Sequence, residues 1–101
     1  MIARIWRGTT AADRADEYLE YVRATGLAEY AATPGYRGVL VLQRTRDGLT
    51  RLTVISYWDS IEAIKAFAGE DPEVAHYYPE DDAYLVDRES TVEHHEVVEL
   101  D

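Results

Sequence analysis

Two alternating runs, 38–45 and 49–58, flank Asp47-Gly48. Both residues of that pair tolerate positive φ, so the dipeptide is a strong signal for a two-residue hairpin. Such a turn sets the register. Val41 falls opposite Val54, and Leu40 opposite Ile55. Each strand is apolar on both faces. Val39 and Val41 point one way, Leu40 and Leu42 the other. Leu52 and Val54 oppose Ile55 and Tyr57 in the same manner. A sheet that is apolar on both faces needs two covers. Helices supply one of them. Nothing else in the chain is large enough to be the second, so the hairpin predicts a homodimer packed sheet to sheet.

The remaining elements follow from periodicity and punctuation. Ile2 to Gly8 reads as a first strand that ends at Gly8. Thr10 is placed to cap a helix, with Asp13 three residues on. Ala15, Tyr18, Leu19 and Val22 form one apolar helical face, and Gly26 is placed to end it. Leu27, Tyr30 and Ala31 suggest a second short helical piece before Pro34-Gly35. Asp59 or Ser60 caps the next helix, with Glu62 positioned for a capping box. Ile61, Ile64, Phe67 and Ala68 make its apolar stripe, and Gly69 stops it. The stretch 71–83 is irregular, acidic and aromatic, with one helical turn expected around Pro72 to Ala75. Thr91 to Leu100 alternates again as the last strand. The order βαββαβ predicts an α+β, ferredoxin-like domain with an antiparallel four-stranded sheet, one domain over residues 1–101.

Composition narrows the function classes. Twenty acids against ten bases give a net charge of −10, which repels a phosphate backbone and argues against nucleic acid as a partner. With no cysteine, thiol catalysis, disulfides and Cys-ligated zinc are excluded. No apolar stretch approaches the roughly 20 residues of a membrane span. No membrane partner and a cytoplasmic location are therefore the expectation. His94 and His95 are adjacent on a strand and face opposite sides of the sheet, so they do not ligate one metal. No His-Glu-x-x-His pattern, glycine-rich phosphate loop or nucleophile elbow occurs, and no metal is expected.

Chemistry concentrates in His76-Tyr77-Tyr78-Pro79-Glu80-Asp81-Asp82. A histidine serves as a base or ligand, and tyrosine hydroxyls orient a phenol or a dioxygen adduct. Packing two tyrosines over the sheet edge explains the same segment without chemistry. Trp6 beside Arg7 suits an anionic planar ligand or an interface. Trp58, at a strand-to-helix junction, either plugs the core or walls a flat ligand. Tyr18, Leu19, Val22, Leu27 and Tyr30 from the first helical run, with Ile64 and Phe67 from the second, should face the sheet. One pocket per subunit is expected between sheet and helices, with His76, Tyr77 or Tyr78 at its rim. A core filled by aromatic side chains is the alternative.

Pro34-Gly35-Tyr36-Arg37-Gly38, Tyr57-Trp58-Asp59-Ser60-Ile61-Glu62-Ala63 and the element order together resemble the antibiotic biosynthesis monooxygenase superfamily of dimeric α/β-barrels. The resemblance covers nearly the whole chain. Its haem-degrading branch uses an Asn on the first strand, a Trp on the second helix and a His just beyond. Here His76 occupies the last position, Phe67 stands where the Trp would be, and the chain has no asparagine. Its cofactor-independent branch, which oxidises polycyclic phenols to quinones, uses an Asn with Trp, Tyr and Arg. The resemblance implies a cofactor-independent monooxygenase, or related enzyme, acting on a small aromatic, polyketide-like molecule. His76 would be the base. Tyr77, Tyr78 and Arg7 would orient the substrate, and Trp6, Trp58, Phe67, Tyr30 and Tyr18 would bind it. A non-catalytic dimeric binding or stress-related module is the alternative, and a haem-binding or haem-degrading monooxygenase is the third reading.

Overall fold

The computed structural model describes residues 1–100. Strand β1 (Ile2–Ala11) leads through a 3-10 turn (Ala12–Arg14) into α1 (Ala15–Val22), a π-turn (Arg23–Leu27) and α2 (Ala28–Ala31). Strands β2 (Tyr36–Arg46) and β3 (Leu49–Trp58) form the hairpin, and α3 (Ile61–Ala68) follows. The chain ends with α4 (Asp81–Tyr84), β4 (Leu85–Arg88) and β5 (Glu93–Glu96). The sheet runs β2-β3-β1-β4, with β5 also on β1, and every pairing is antiparallel. This is the expected ferredoxin-like α+β arrangement. The sheet of one chain is open and does not close into a barrel.

Asp47 (φ 53°) and Gly48 (φ 79°) both take the left-handed conformation that a twisted two-residue hairpin needs. Val41 pairs with Val54 and Leu40 with Ile55, as the alternation predicts.

Several local expectations are corrected. Strand β1 does not end at Gly8, which pairs with both Leu52 and Arg88. The glycine answers a packing need, because a Cβ there would stand 2.6 Å from the Trp6 ring. Thr10 caps no helix. It lies in β1, and its hydroxyl donates to the Tyr84 carbonyl at 2.9 Å. Gly26 does not stop the first helical run, because a π-turn carries the chain past it into α2. Ser60 caps α3, accepting from the Ala63 amide at 3.2 Å. The third helical position is then Ala63, so Glu62 closes no capping box and pairs with Lys65 instead. Gly69 ends α3 at φ 90°. The segment around Pro72 is not helical. Val74 bridges to Thr91, and the helical turn comes later, at Asp81–Tyr84. The final strand forms within the expected range but is shorter, β5 at Glu93–Glu96, and β4 before it is an additional strand. The sheet therefore has five strands where four were expected, with β4 and β5 both on β1.

The helical layer covers one sheet face. There Trp6, Leu52, Val54 and Trp58 pack with Tyr18, Tyr30 and Ile64 into the core. The other face presents Ile5, Ile55 and Tyr57 half-buried, while Leu40 and Leu42 stand 55% and 54% exposed. No other element of the described chain lies over this face.

Candidate active site

A cleft opens between the sheet and the helical layer. Trp6 and Val54 form its floor. Tyr18 and Tyr30 flank it from the helices, and the π-turn walls it with Val22, Thr25, Gly26 and Leu27. Phe67 and then His76, Tyr78 and Asp81 close the opposite side. The enclosed cavity is small, about 30 Å³, and the rest of the cleft is open to solvent at its mouth. The Arg23–Leu27 stretch of its wall is wound as a π-turn, a feature that often occurs at functional sites. Thr25 steadies it by donating its hydroxyl to the Tyr21 carbonyl at 2.7 Å.

His76 stands exposed at the rim, its ring 5.3 Å from that of Phe67 and 4.9 Å from that of Tyr78. The Tyr78 hydroxyl donates to Glu29 at 2.6 Å. Burial, and then that acceptor, push the Tyr78 phenol far above its ordinary range, so it stays protonated. Asp81 is 4% exposed and accepts twice, from the Tyr18 hydroxyl at 2.9 Å and from the Tyr78 amide at 2.6 Å. Burial, followed by the Asp81 charge, holds Tyr18 protonated as well. The cleft therefore combines an apolar aromatic lining with three convergent polar tips and a histidine at the mouth, the usual character of a small-molecule site.

Other expected site residues lie elsewhere. Tyr77 packs on Trp6 at 6.1 Å, donates to the Glu89 carbonyl and carries the Arg88 guanidinium over its ring at 4.6 Å, outside the cleft lining. Arg7 is half-buried on the opposite sheet face, paired with Glu93 and, at 3.6 Å, with Glu89. Alternation along β1 separates it from Trp6. Trp58 is fully buried behind the lining. It backs Tyr30 at 5.5 Å and Phe67 at 6.2 Å and donates to Ser56 at 2.8 Å. His95 meets Glu93 at 3.2 Å on one face, while His94 turns to the other. No metal-binding cluster of His, Asp and Glu occurs among the described residues.

Two residues escaped the sequence reading. Asp81 sits in an acidic run that resembles a solvated face, and only its place at the start of α4 turns it inward. Arg4 lies in a strand with an arginine on each face, so alternation alone does not say which one is buried. Arg4 is, at 1% exposure.

An open antiparallel sheet, one helical layer and an aromatic cleft between them define a ferredoxin-like α+β domain. The chain belongs to the antibiotic biosynthesis monooxygenase family, whose pattern matches residues 1–77. Among solved structures it is similar to a Bacillus cereus protein classed with the antibiotic biosynthesis monooxygenases. Identity there is 17%, the TM-score is 0.67, and 99% of this chain and 97% of that one are covered. It is also similar to the haem-degrader MhuD from Mycobacterium tuberculosis, solved with two haems in its active site. That match has 24% identity, a TM-score of 0.59 and coverage of 100% and 98%. A variant of MhuD with two manganese protoporphyrin IX bound per active site gives 25% identity, a TM-score of 0.60 and coverage of 100% and 97%. No curated protein matches the chain in sequence.

Proposed function

We propose that the chain is a cofactor-independent monooxygenase acting on a small, flat aromatic substrate held in this cleft. The observation that carries the reading is the cleft itself, apolar and aromatic on its floor and walls, with His76 at the mouth and Tyr78 and Asp81 converging on one side. An activated methylene flanked by phenolic rings supplies its own electrons to dioxygen. It loses a proton to the base, and the carbanion reduces dioxygen. The peroxide that forms then loses water and leaves a carbonyl. One oxygen atom ends in the product and the other in water. The protein needs a positioned base, hydrogen-bond donors and exclusion of bulk water. His76 takes the base role and Tyr78 orients the substrate, with Trp6, Phe67, Tyr30 and Tyr18 as walls. Tyr77 and Trp58 back the lining from outside it, and Arg7, on the opposite sheet face, takes no part. Oxygen uptake with a panel of phenolic anthrones tests the proposal. Turnover that falls in His76→Ala is expected. Turnover unchanged in that variant removes His76 as base, and no uptake with any anthrone favours a non-catalytic binding module.

Haem binding is the second reading, favoured by the similarity to MhuD and by His76 just beyond α3. The rings of Phe67, His76 and Tyr78 pack against one another across one side of the cleft and would have to part for a porphyrin. A hemin titration giving a tight Soret shift that is lost in His76→Ala would reverse this order.

The working unit in this proposal is a homodimer. A second copy supplies the cover that the face of Ile5, Leu40, Leu42 and Ile55 lacks, and two open sheets stacked this way make the barrel of the family.

A further inference from the structure

We infer that Arg4 is an electrostatic anchor beneath the cleft, which makes the site select a flat aromatic oxyanion over the neutral molecule of the same shape. The inference rests on the cleft being the substrate site and adds the charge class of the substrate.

Arg4 projects from β1 on the cleft side, two residues before Trp6. It is 1% exposed. It donates to the carbonyls of Val74 and Pro72 at 3.3 and 3.5 Å, both long, and its Nε has no partner. Among the described residues no carboxylate pairs with it. Arg7, Arg14, Arg23, Arg37 and Arg88, all more exposed, each have an acidic partner. In a chain with 20 acids, the arginine buried deepest is left without one. Buried cations are ordinarily paired, because an unpaired one gives up its hydration with no return. A guanidinium keeps its charge under these conditions. The charge is therefore real and uncompensated.

Its position relates it to the cleft. The guanidinium carbon lies 5.5 Å from the centroid of Phe67, which lines the cleft. Burial lowers the Arg4 pKa, and the hydroxyl of Tyr30, another lining residue, lies close enough to offset part of that. His94 is its partner in register across β5, and its Nε2 is also buried without a partner. Burial and the charge of Arg4 favour the neutral form of His94, so the cation of this region is the Arg4 guanidinium, set against the Asp81 carboxylate elsewhere in the cleft lining. An oxyanion in the cleft feels that cation through a dry, low-dielectric layer, where fixed charges act strongly and need no reorganisation. A cation on the ring of Phe67 also offsets the negative face that would otherwise repel an anion. Arg4 touches no substrate in this arrangement and acts as a positioning residue.

The alternative is that Arg4 only ties down the 72–74 segment. That role gives no preference between charged and neutral ligands. Calorimetric titration of 2-naphthoate and of neutral 2-naphthalenemethanol into wild type, Arg4→Lys and Arg4→Met separates the two. Wild type should bind the carboxylate about tenfold tighter or more. Arg4→Lys should keep the preference, and Arg4→Met should bind both alike. Absorbance of 4-nitrophenol at fixed pH distinguishes the kinds of oxyanion. A rise in the phenolate band on binding wild type but not Arg4→Met extends the anchor to phenolates and enolates, and naphthoate preference without that rise assigns it to carboxylates. Equal affinities in wild type, or a preference that survives in Arg4→Met, overturns the inference and leaves the cleft as a neutral aromatic site. Failure of wild type to bind any of the three ligands overturns the cleft as substrate site and the inference with it.

Discussion

The hydroxyl of Tyr18 donates to the carboxylate of Asp81 at 2.9 Å, which ties α1 to the short helix α4 across the cleft. Both residues are buried. Tyr18→Phe keeps the ring and removes the donor, leaving Asp81 with only the Tyr78 amide. A loss of about 1–3 kcal/mol is expected, the cost of stranding a buried polar group. Urea unfolding checks it, and an unchanged midpoint would show that water satisfies Asp81 equally well.

Gly8 is the second sensitive point. A methyl group there would meet the Trp6 ring at 2.6 Å and a Leu85 methyl at 2.9 Å. Trp6 is the cleft floor, so Gly8→Ala should do two things at once. Overpacking should cost about 1–3 kcal/mol, and the displaced indole should weaken binding of aromatic ligands. Thermal unfolding and a ligand titration on the same sample check both. Weakened stability with unaltered binding would show that Leu85 yields and Trp6 does not.

The uncovered sheet face predicts association. Leu40 and Leu42 are exposed on β2, beside Ile55 of β3. Wild type should sediment as a dimer at micromolar concentration, and Leu40→Glu with Leu42→Glu should sediment as a folded monomer. A monomeric wild type would contradict the sheet-to-sheet dimer.

Stability should also depend on pH through His94. Burial, reinforced by the charge of Arg4, lowers its folded-state pKa from 6.5, while Glu73 opposes the shift. The folded protein thus binds fewer protons than the unfolded chain just below pH 6.5. The contribution is fully present above that value and is lost as pH falls towards the folded pKa. His94→Gln should flatten that part of the profile. The exposed Glu93, whose pKa is lowered by Arg7, acts in the more acidic range. A profile as steep in His94→Gln as in wild type would assign the loss to other groups.

The parts of the fold that were legible are those governed by local rules. Asp47-Gly48 and the alternation around it specify the hairpin to the residue, because turn type and period 2 leave one register. The apolar helix faces placed Tyr18, Val22, Leu27, Tyr30 and Phe67 towards the sheet, and those five line the cleft. The misread parts depend on tertiary packing. Gly8 is a place for an indole and not a strand end. Gly26 is carried through a π-turn because helix lies on both sides of it. Arg4 and Asp81 carry charges that composition assigns to the surface, and only the assembled sheet and α4 bury them.

The most direct test of the cleft as the binding site is a map of backbone amide shifts as a soluble phenolic anthrone is titrated into the protein without oxygen. Shifts concentrated at Thr25, Gly26, Phe67, His76 and Tyr78 are expected, with Leu40, Leu42 and Ile55 on the far face unmoved. Shifts confined to that far face, or none at saturating ligand, would contradict the cleft as the substrate site.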